Sequence, residues 1–161
     1  MKSEKILLTV LALLALGSAN AQQEGTLDVQ TTVEKVQVST NAAGEEVTEL
    51  VAAETVVPGE RVIYTTSFRN TGTEPADNVV ITNPISENLL YVEGSAFGPG
   101  LELEFSVDGG QSFSGAESLT VVDDAGERAA TPEDYTHIRW SMPGSLDVGA
   151  QGVVRFTAIL K

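Results

Sequence analysis

The chain has 161 residues, with 23 Asp and Glu against 9 Lys and Arg, one His and no Cys. This length suits one domain, and a net charge of -14 disfavours nucleic acid and anionic lipid surfaces as partners. The absence of cysteine excludes a disulfide scaffold, a thiol nucleophile, a thiolate-bound metal and a lipid-modified N-terminal cysteine.

The first 21 residues have the pattern of a cleavable signal peptide. Two lysines precede an apolar run over residues 6–16, and the small residues Ala19 and Ala21 mark the cleavage position. The run is too short to span a bilayer. Cleavage removes two of the 9 bases and one of the 23 acids, which leaves 22 acids, 7 bases and a net charge of -15. The sequence therefore predicts an exported protein, periplasmic, at the outer surface or extracellular, with no membrane anchor after cleavage.

From residue 26 onward, apolar residues alternate with period two between turn signals, which is typical of β-strands. The predicted strands cover residues 26–38, 47–56, 61–69, 78–82, 89–92, 101–107, 119–122, 135–142 and 152–160. Nine short strands at this spacing predict an all-β fold, an immunoglobulin-like antiparallel β-sandwich that forms a single domain over residues 22–161. The strands over 26–56 are its N-terminal part.

The apolar phase shifts within the first of these segments. Leu27, Val29 and Val33 share one face, whereas Val36 and Val38 fall on the other. The shift predicts a bulge or a bend, as in a strand that crosses between two sheets. The long alternating segment over 22–38 also suits a strand that pairs with the edge of a neighbouring copy, although pairing within its own domain is the favoured alternative.

Several residues have predicted structural roles in turns and in the core. Pro58 and Gly59 end one strand and direct the chain into the next, Asn70 caps a turn, and Gly72 supplies an unusual backbone angle there. Alternation places Trp140 on the inward face of its strand.

Six sequence blocks occur in order from residue 57 to the C-terminal part of the chain. They are Val-Pro-Gly-Glu-Arg-Val-Ile-Tyr at 57–64, Arg-Asn-Thr-Gly at 69–72, Ala-Asp-Asn-Val-Val-Ile-Thr-Asn-Pro at 76–84, Tyr-Val-Glu-Gly-Ser at 91–95, Phe-Ser-Val-Asp-Gly-Gly at 105–110 and Thr-Pro-Glu-Asp-Tyr-Thr-His-Ile-Arg-Trp at 131–140. Together, over about 57–161, they resemble the bacterial conserved-repeat domain, domain of unknown function 11, in its single-copy Gram-negative form. The resemblance implies a secreted or surface-exposed immunoglobulin-like sandwich and brings no catalytic residues. A single copy without a wall anchor differs from the multi-copy surface proteins of that family.

The spacing Ser106-x-Asp108-x-Gly110-x-Ser112-Phe113 fits an Asp-box. In that motif the carboxylate and hydroxyl groups bond the backbone of a hairpin turn while the aromatic ring packs beneath it. One copy in a chain too short for a propeller predicts a role in hairpin stability and does not indicate a glycosidase.

Asp123, Asp124 and Glu127 are weak calcium candidates, because their spacing fits no calcium-binding loop and a solvated acidic loop is the favoured alternative. His137 is the single histidine, so one chain cannot assemble a histidine-rich zinc site, and no serine lies in a Gly-x-Ser-x-Gly elbow. We therefore expect no enzymatic activity and no cofactor other than this calcium alternative.

The sequence thus predicts a non-catalytic exported structural or interaction domain of the envelope or extracellular space, acting through protein–protein association. The alternative is a surface module that binds carbohydrate or calcium, for which Tyr91, Phe97 and Phe113 are the aromatic residues that alternation places least securely. A secreted hydrolase is the least favoured hypothesis.

Overall fold

A computed structural model describes residues 27–161, so the signal peptide with Ala19 and Ala21, and residues 22–26, lie outside the described residues. The strands are β1 (Leu27–Thr40), β2 (Glu46–Ala52), β3 (Arg61–Asn70), β4 (Ala76–Asp77), β5 (Val80–Pro84), β6 (Leu89–Tyr91), β7 (Glu102–Ser106), β8 (Thr120–Asp123), β9 (Gly126–Ala129), β10 (His137–Ser141), β11 (Ser145–Leu146) and β12 (Gln151–Leu160). A short 3-10 turn covers Ala116–Ser118. Within residues 27–161, no helix has the length and apolar character needed to cross a membrane.

Two antiparallel sheets form the body of the molecule. The larger has the order β2-β1-β3-β12-β6 and the smaller has the order β5-β10-β7, while β4 with β11 and β8 with β9 form two small additional pairs. The prediction of an all-β antiparallel sandwich is confirmed. Each of the nine predicted segments overlaps an observed strand, and β4, β9 and β11 were not predicted because they are short and carry little apolar alternation.

The core lies between the inner faces of the two sheets. Trp140 and Ile138 of β10 are buried against Val154 and Phe156 of β12, and the ring centroids of Trp140 and Phe156 are 6.3 Å apart. The other buried apolar side chains are Val56, Val62, Phe68, Val79, Ile81, Ile85, Leu89, Tyr91, Phe105, Leu119, Tyr135, Leu146, Ala158 and Leu160. Trp140 therefore occupies the core position that alternation predicts.

The predicted bend in the first strand is wrong. β1 runs unbroken for 14 residues and stays in one sheet, with continuous registers to β3 and to β2. β3 accompanies β1 only as far as Lys35, which pairs with Val62. Val33 lies opposite Tyr64 on the inner face, so the even-numbered residues of β1, including Val36 and Val38, lie on the outer face without any change in the course of the strand.

The predicted turns at residues 58–59 and 70–72 are stabilised in different ways. Gly59 has a φ of 90° in the turn that leads into β3, which the N–H of Glu60 closes on the carbonyl of Val57, and Gly59 donates its own N–H to the carbonyl of Leu160 at the end of β12. Asn70 is fully buried, and its side-chain Nδ2 donates to the carbonyls of Glu74 and Leu146. The predicted unusual angle at Gly72 is wrong, because Gly72 is not among the glycines with positive φ and instead donates its N–H to Asn70 Oδ1.

Candidate functional site

The β1–β2 hairpin extends past the end of β3. We call residues 36–50 the arm, because within the described residues β2 pairs with β1 and with no other strand. The register runs from Glu34 opposite Ala52 to Thr40 opposite Glu46. The arm is therefore a two-stranded ribbon that continues the larger sheet beyond the sandwich.

Side chains hold both ends of the arm in place. At its tip, Asn41 Oδ1 accepts hydrogen bonds from the backbone N–H groups of Ala43 and Glu45, which is the conformation of an Asx turn. At its base, Lys35 Nζ donates to the carbonyl of Thr55 at 2.7 Å and lies 3.3 Å from the carboxylate of Glu60. The tip turn and the base of the arm are thus each held by side-chain hydrogen bonds.

The Glu60 carboxylate at the base of the arm is itself held in position. Its Oε2 accepts the backbone N–H of Val57 at 2.9 Å. This hydrogen bond, together with the ammonium group of Lys35, lowers the pKa of Glu60 from its ordinary value. Glu60 therefore stays ionised at neutral pH and continues to bind Lys35.

The outer face of the arm carries three exposed apolar side chains. Val36 lies directly opposite Leu50, and Val38 lies opposite Thr48 and diagonal to Leu50, while Thr40 and Glu46 occupy the same face toward the tip. Val36, Val38 and Leu50 are 46%, 60% and 48% exposed. A two-stranded ribbon is only marginally stable in water, and a contiguous exposed apolar patch commonly marks an interaction surface. The arm consequently has the features of a surface that another molecule covers.

The outer edge of β2 has no partner strand within the described residues. Ala53 donates its N–H to the carbonyl of Val33, and Asn41 donates to Glu45, which shows that odd-numbered residues of this hairpin direct their backbone groups across it. Residues with even numbers in β2, from Glu46 to Ala52, therefore direct their N–H and C=O groups away from β1. β2 contains neither proline nor lysine, the residues that commonly protect such an edge, but it carries Glu46 and Glu49.

The predicted Asp-box forms a loop closed by paired backbone hydrogen bonds between Phe105 and Ser114. Asp108 Oδ1 accepts from the Ser106 hydroxyl at 2.7 Å and from the backbone N–H of Ser112, while Oδ2 accepts from the Ser112 hydroxyl. These bonds, above all that from the Ser112 hydroxyl, hold the pKa of Asp108 well below its usual range. Gly110 donates its N–H to the Ser106 hydroxyl oxygen, so the polar groups of the motif bond within the loop.

Phe113 of the motif packs against the outer face of the smaller sheet. The guanidinium carbon of Arg139 lies 3.9 Å from its ring centroid, and Arg139 also forms an ion pair with Glu104 at 2.6 Å. His137 meets the same ring edge-on, and partial burial lowers the pKa of His137. The guanidinium of Arg139 therefore joins the ring of Phe113 to the carboxylate of Glu104 on this face of the smaller sheet.

The structure does not bring the three calcium candidates together. Asp123 receives the Nε of Arg128 at 2.8 Å and the N–H of Ala125, and Glu127 accepts the hydroxyl of Thr120. Arg128 also binds Asp134 through two hydrogen bonds, which lowers the pKa of that carboxyl. Within residues 27–161, no three carboxylate or histidine side chains converge on a point where one metal ion could be held.

The aromatic side chains considered for sugar binding have different surroundings. Tyr91 is buried and its ring packs on Phe105, while Phe113 is covered by Arg139. Phe97 is 50% exposed, and its backbone exchanges two hydrogen bonds with Arg155 of β12. These three rings therefore do not form one exposed platform on which a sugar could stack.

Comparisons of the chain with protein-family models, with curated proteins and with solved structures found no match. The resemblance to domain of unknown function 11 therefore stays a prediction. The sequence predicts a strand over residues 22–38 that could pair with a neighbouring copy, but it does not predict the arm. The apolar phase shift at Val36 was the available signal, because it moves the apolar residues from the inner to the outer face of an unbroken strand.

Proposed function

We propose that this protein is an exported, non-catalytic structural domain of the bacterial envelope or extracellular space that acts through protein–protein association, with the arm as its contact surface. The observation that carries the proposal is the exposed apolar face of Val36, Val38 and Leu50 on a ribbon that leaves the sandwich. Such a ribbon gains stability when a second protein covers that face or pairs with its edge.

The polar clusters support the same function. Asp108, Arg128 and Arg139 each bind neighbouring side chains in the described part of the chain, and the resulting hydrogen bonds and ion pairs account for their charges. Catalytic groups typically have a free reactive atom within a cleft and a pKa close to the working pH. A carboxyl group that acts as a general acid has a raised pKa, whereas the pKa of Asp108 is lowered.

The proposal is tested in the cells that produce the protein. One variant replaces residues 36–50 by Asn-Gly, which joins Lys35 to Val51 through a two-residue turn and keeps the base of the hairpin. The matched control is Val122→Lys, because Val122 is 81% exposed on the separate β8–β9 hairpin. Cells are separated into periplasm, outer membrane and medium, and formaldehyde cross-linking is compared between the variants.

We expect the wild-type protein and Val122→Lys to be exported and to form the same cross-linked complex, which the arm-shortened variant loses. Retention of all three in the cytoplasm would contradict export. Identical cross-linking of the arm-shortened variant would contradict the role of the arm.

A further inference from the structure

We propose that the molecule covering the arm is a second copy of this chain, joined through the free edge of β2 in a two-fold dimer centred on Leu50. This inference rests on the proposed function and names the partner that the arm binds. It follows from the direction of the backbone groups of β2, from the positions of its carboxylates and from the side chains that each register brings together.

The free edge of β2 allows only certain registers across a two-fold axis. Its outward backbone groups belong to residues with even numbers, so an antiparallel pairing must place even residues opposite even residues. In a two-fold dimer the sum of the numbers of opposed residues is constant and equals twice the number of the residue on the axis. Axes at residues 48, 49 and 50 all meet this requirement and keep most of β2 paired.

The side chains distinguish these three registers. An axis at Glu49 places the two Glu49 carboxylates directly opposite each other, which is destabilising. An axis at Thr48 places the carboxylate of Glu46 opposite Leu50. An axis at Leu50 places the two Leu50 side chains opposite each other, Thr48 opposite Ala52, and Glu49 opposite Val51 of the second copy. The like-charged pair that this register opposes, Glu46 and Glu54, falls beyond the end of β2 at Ala52 and so outside the paired segment. An axis closer to Ala52 shortens the paired segment, so Leu50 is the favoured centre.

The Leu50-centred register also completes the apolar surface. Val36 and Leu50 are cross-strand neighbours within one copy, and both are about half exposed. Across the axis, the outer face acquires a continuous row of Val36, Leu50, Leu50 and Val36, two residues from each copy. The opposed pairs at residues 48, 50 and 52 exchange two backbone hydrogen bonds each. The dimer therefore joins two five-stranded sheets into one ten-stranded sheet.

Size and charge make this association weak and dependent on salt. About five residues of strand edge from each copy provide less than the ~800 Å² per partner of a standard interface, so we expect a dissociation constant between micromolar and millimolar. Residues 34–54 contain five acids and one base, and each mature chain carries a net charge of -15, from 7 bases and 22 acids. Because the two copies repel each other, added salt should strengthen the dimer.

The absence of cysteine from the chain allows a direct test by single-cysteine cross-linking. In the proposed dimer the Cα atoms of the two Leu50 residues are about 5.5 Å apart, which suits a disulfide in Leu50→Cys. The register control is Thr48→Cys, an exposed position on the same face, whose two copies would be separated by about four residues of strand, ~13 Å. The surface control is Val122→Cys on the β8–β9 hairpin.

Urea unfolding first confirms that the three purified variants of residues 22–161 have the same unfolding midpoint as the wild type. The variants are then oxidised with copper phenanthroline at low and high NaCl. We expect Leu50→Cys to form disulfide dimers at least tenfold faster than Thr48→Cys and Val122→Cys, with a rate that rises with NaCl. Equal rates for the three variants would overturn the dimer, and a faster rate for Thr48→Cys would overturn the Leu50-centred register.

The cellular cross-linking described above separates this inference from the proposed function. An arm-dependent complex that contains a different protein and no second copy would overturn the dimer while the association function stands. Cross-linking that does not depend on the arm would contradict the association function itself.

Discussion

Replacement of Asn70 by alanine tests how the sandwich is held together without disulfides. Asn70 is fully buried at the end of β3 and makes three side-chain hydrogen bonds. Its Nδ2 donates to the carbonyls of Glu74 and Leu146, and its Oδ1 accepts the N–H of Gly72. The side chain thus connects the turn after β3 to β11, 76 residues further along the chain.

The expected loss follows from these three bonds. A typical hydrogen bond contributes about 1 kcal/mol net, and a buried group left without a partner costs about 1–3 kcal/mol. The bond to the Leu146 carbonyl is buried, so Asn70→Ala leaves that oxygen without its donor. We expect the free energy of unfolding to fall by about 2–4 kcal/mol, which for a domain of this size lowers the melting temperature by roughly 6–15 °C.

Urea denaturation provides the assay, because Trp140 is the one tryptophan, is buried, and changes its fluorescence on unfolding. The matched control is Asn88→Ala at an exposed position, which we expect to change stability by less than about 0.5 kcal/mol. A loss of less than about 1 kcal/mol in Asn70→Ala, or an equal loss in both variants, would contradict this role of the Asn70 side chain.

Two further predictions concern the core and the Asp-box loop. A Cβ atom at Gly98 would lie 2.6 Å from Cδ1 of Trp140, so Gly98→Ala should lower the free energy of unfolding in urea by about 1–3 kcal/mol. The control Gly144→Ala has open space around the new Cβ atom and should change stability little. Equal urea midpoints for the two variants would contradict this packing. The hydrogen bonds that lower the pKa of Asp108 stabilise the fold above its unfolded pKa, near 3.8, and this contribution is lost as the pH falls below that value. Unfolding free energy measured between pH 7 and about pH 3 should therefore fall less steeply in Asp108→Asn than in the wild type, and identical slopes would contradict this role.

Most of the strands could be predicted because their apolar residues alternate over a long enough stretch. Val154, Phe156 and Ala158 of β12 are buried as alternation predicts. β9 escaped prediction because all four of its residues, Gly126–Ala129, are exposed and leave no apolar pattern to detect. Periodicity thus identifies strands that cover a core and misses those held by pairing alone.

The arm could not be predicted from alternation for a different reason. The pattern of β1 shows that Val36 and Val38 share a face, and the register makes this the outer face of the sheet, where both are exposed. Alternation does not show that β1 and β2 continue as a ribbon past the last residue paired with β3, Lys35, because that depends on a strand that follows much later in the chain. Likewise, the sequence places Asn70 in a turn but does not show that its side chain reaches Leu146.

The central claim is that the arm is the association surface of this protein and that it binds a second copy. Sedimentation equilibrium of residues 22–161, from about 10 µM to 1 mM and at NaCl concentrations on either side of physiological strength, tests that claim most directly. The account predicts a mass that rises from monomer toward dimer with concentration, rises further with salt, and stays monomeric in the arm-shortened variant. A monomeric wild-type chain over the whole range, or equal masses for the two proteins, would contradict it.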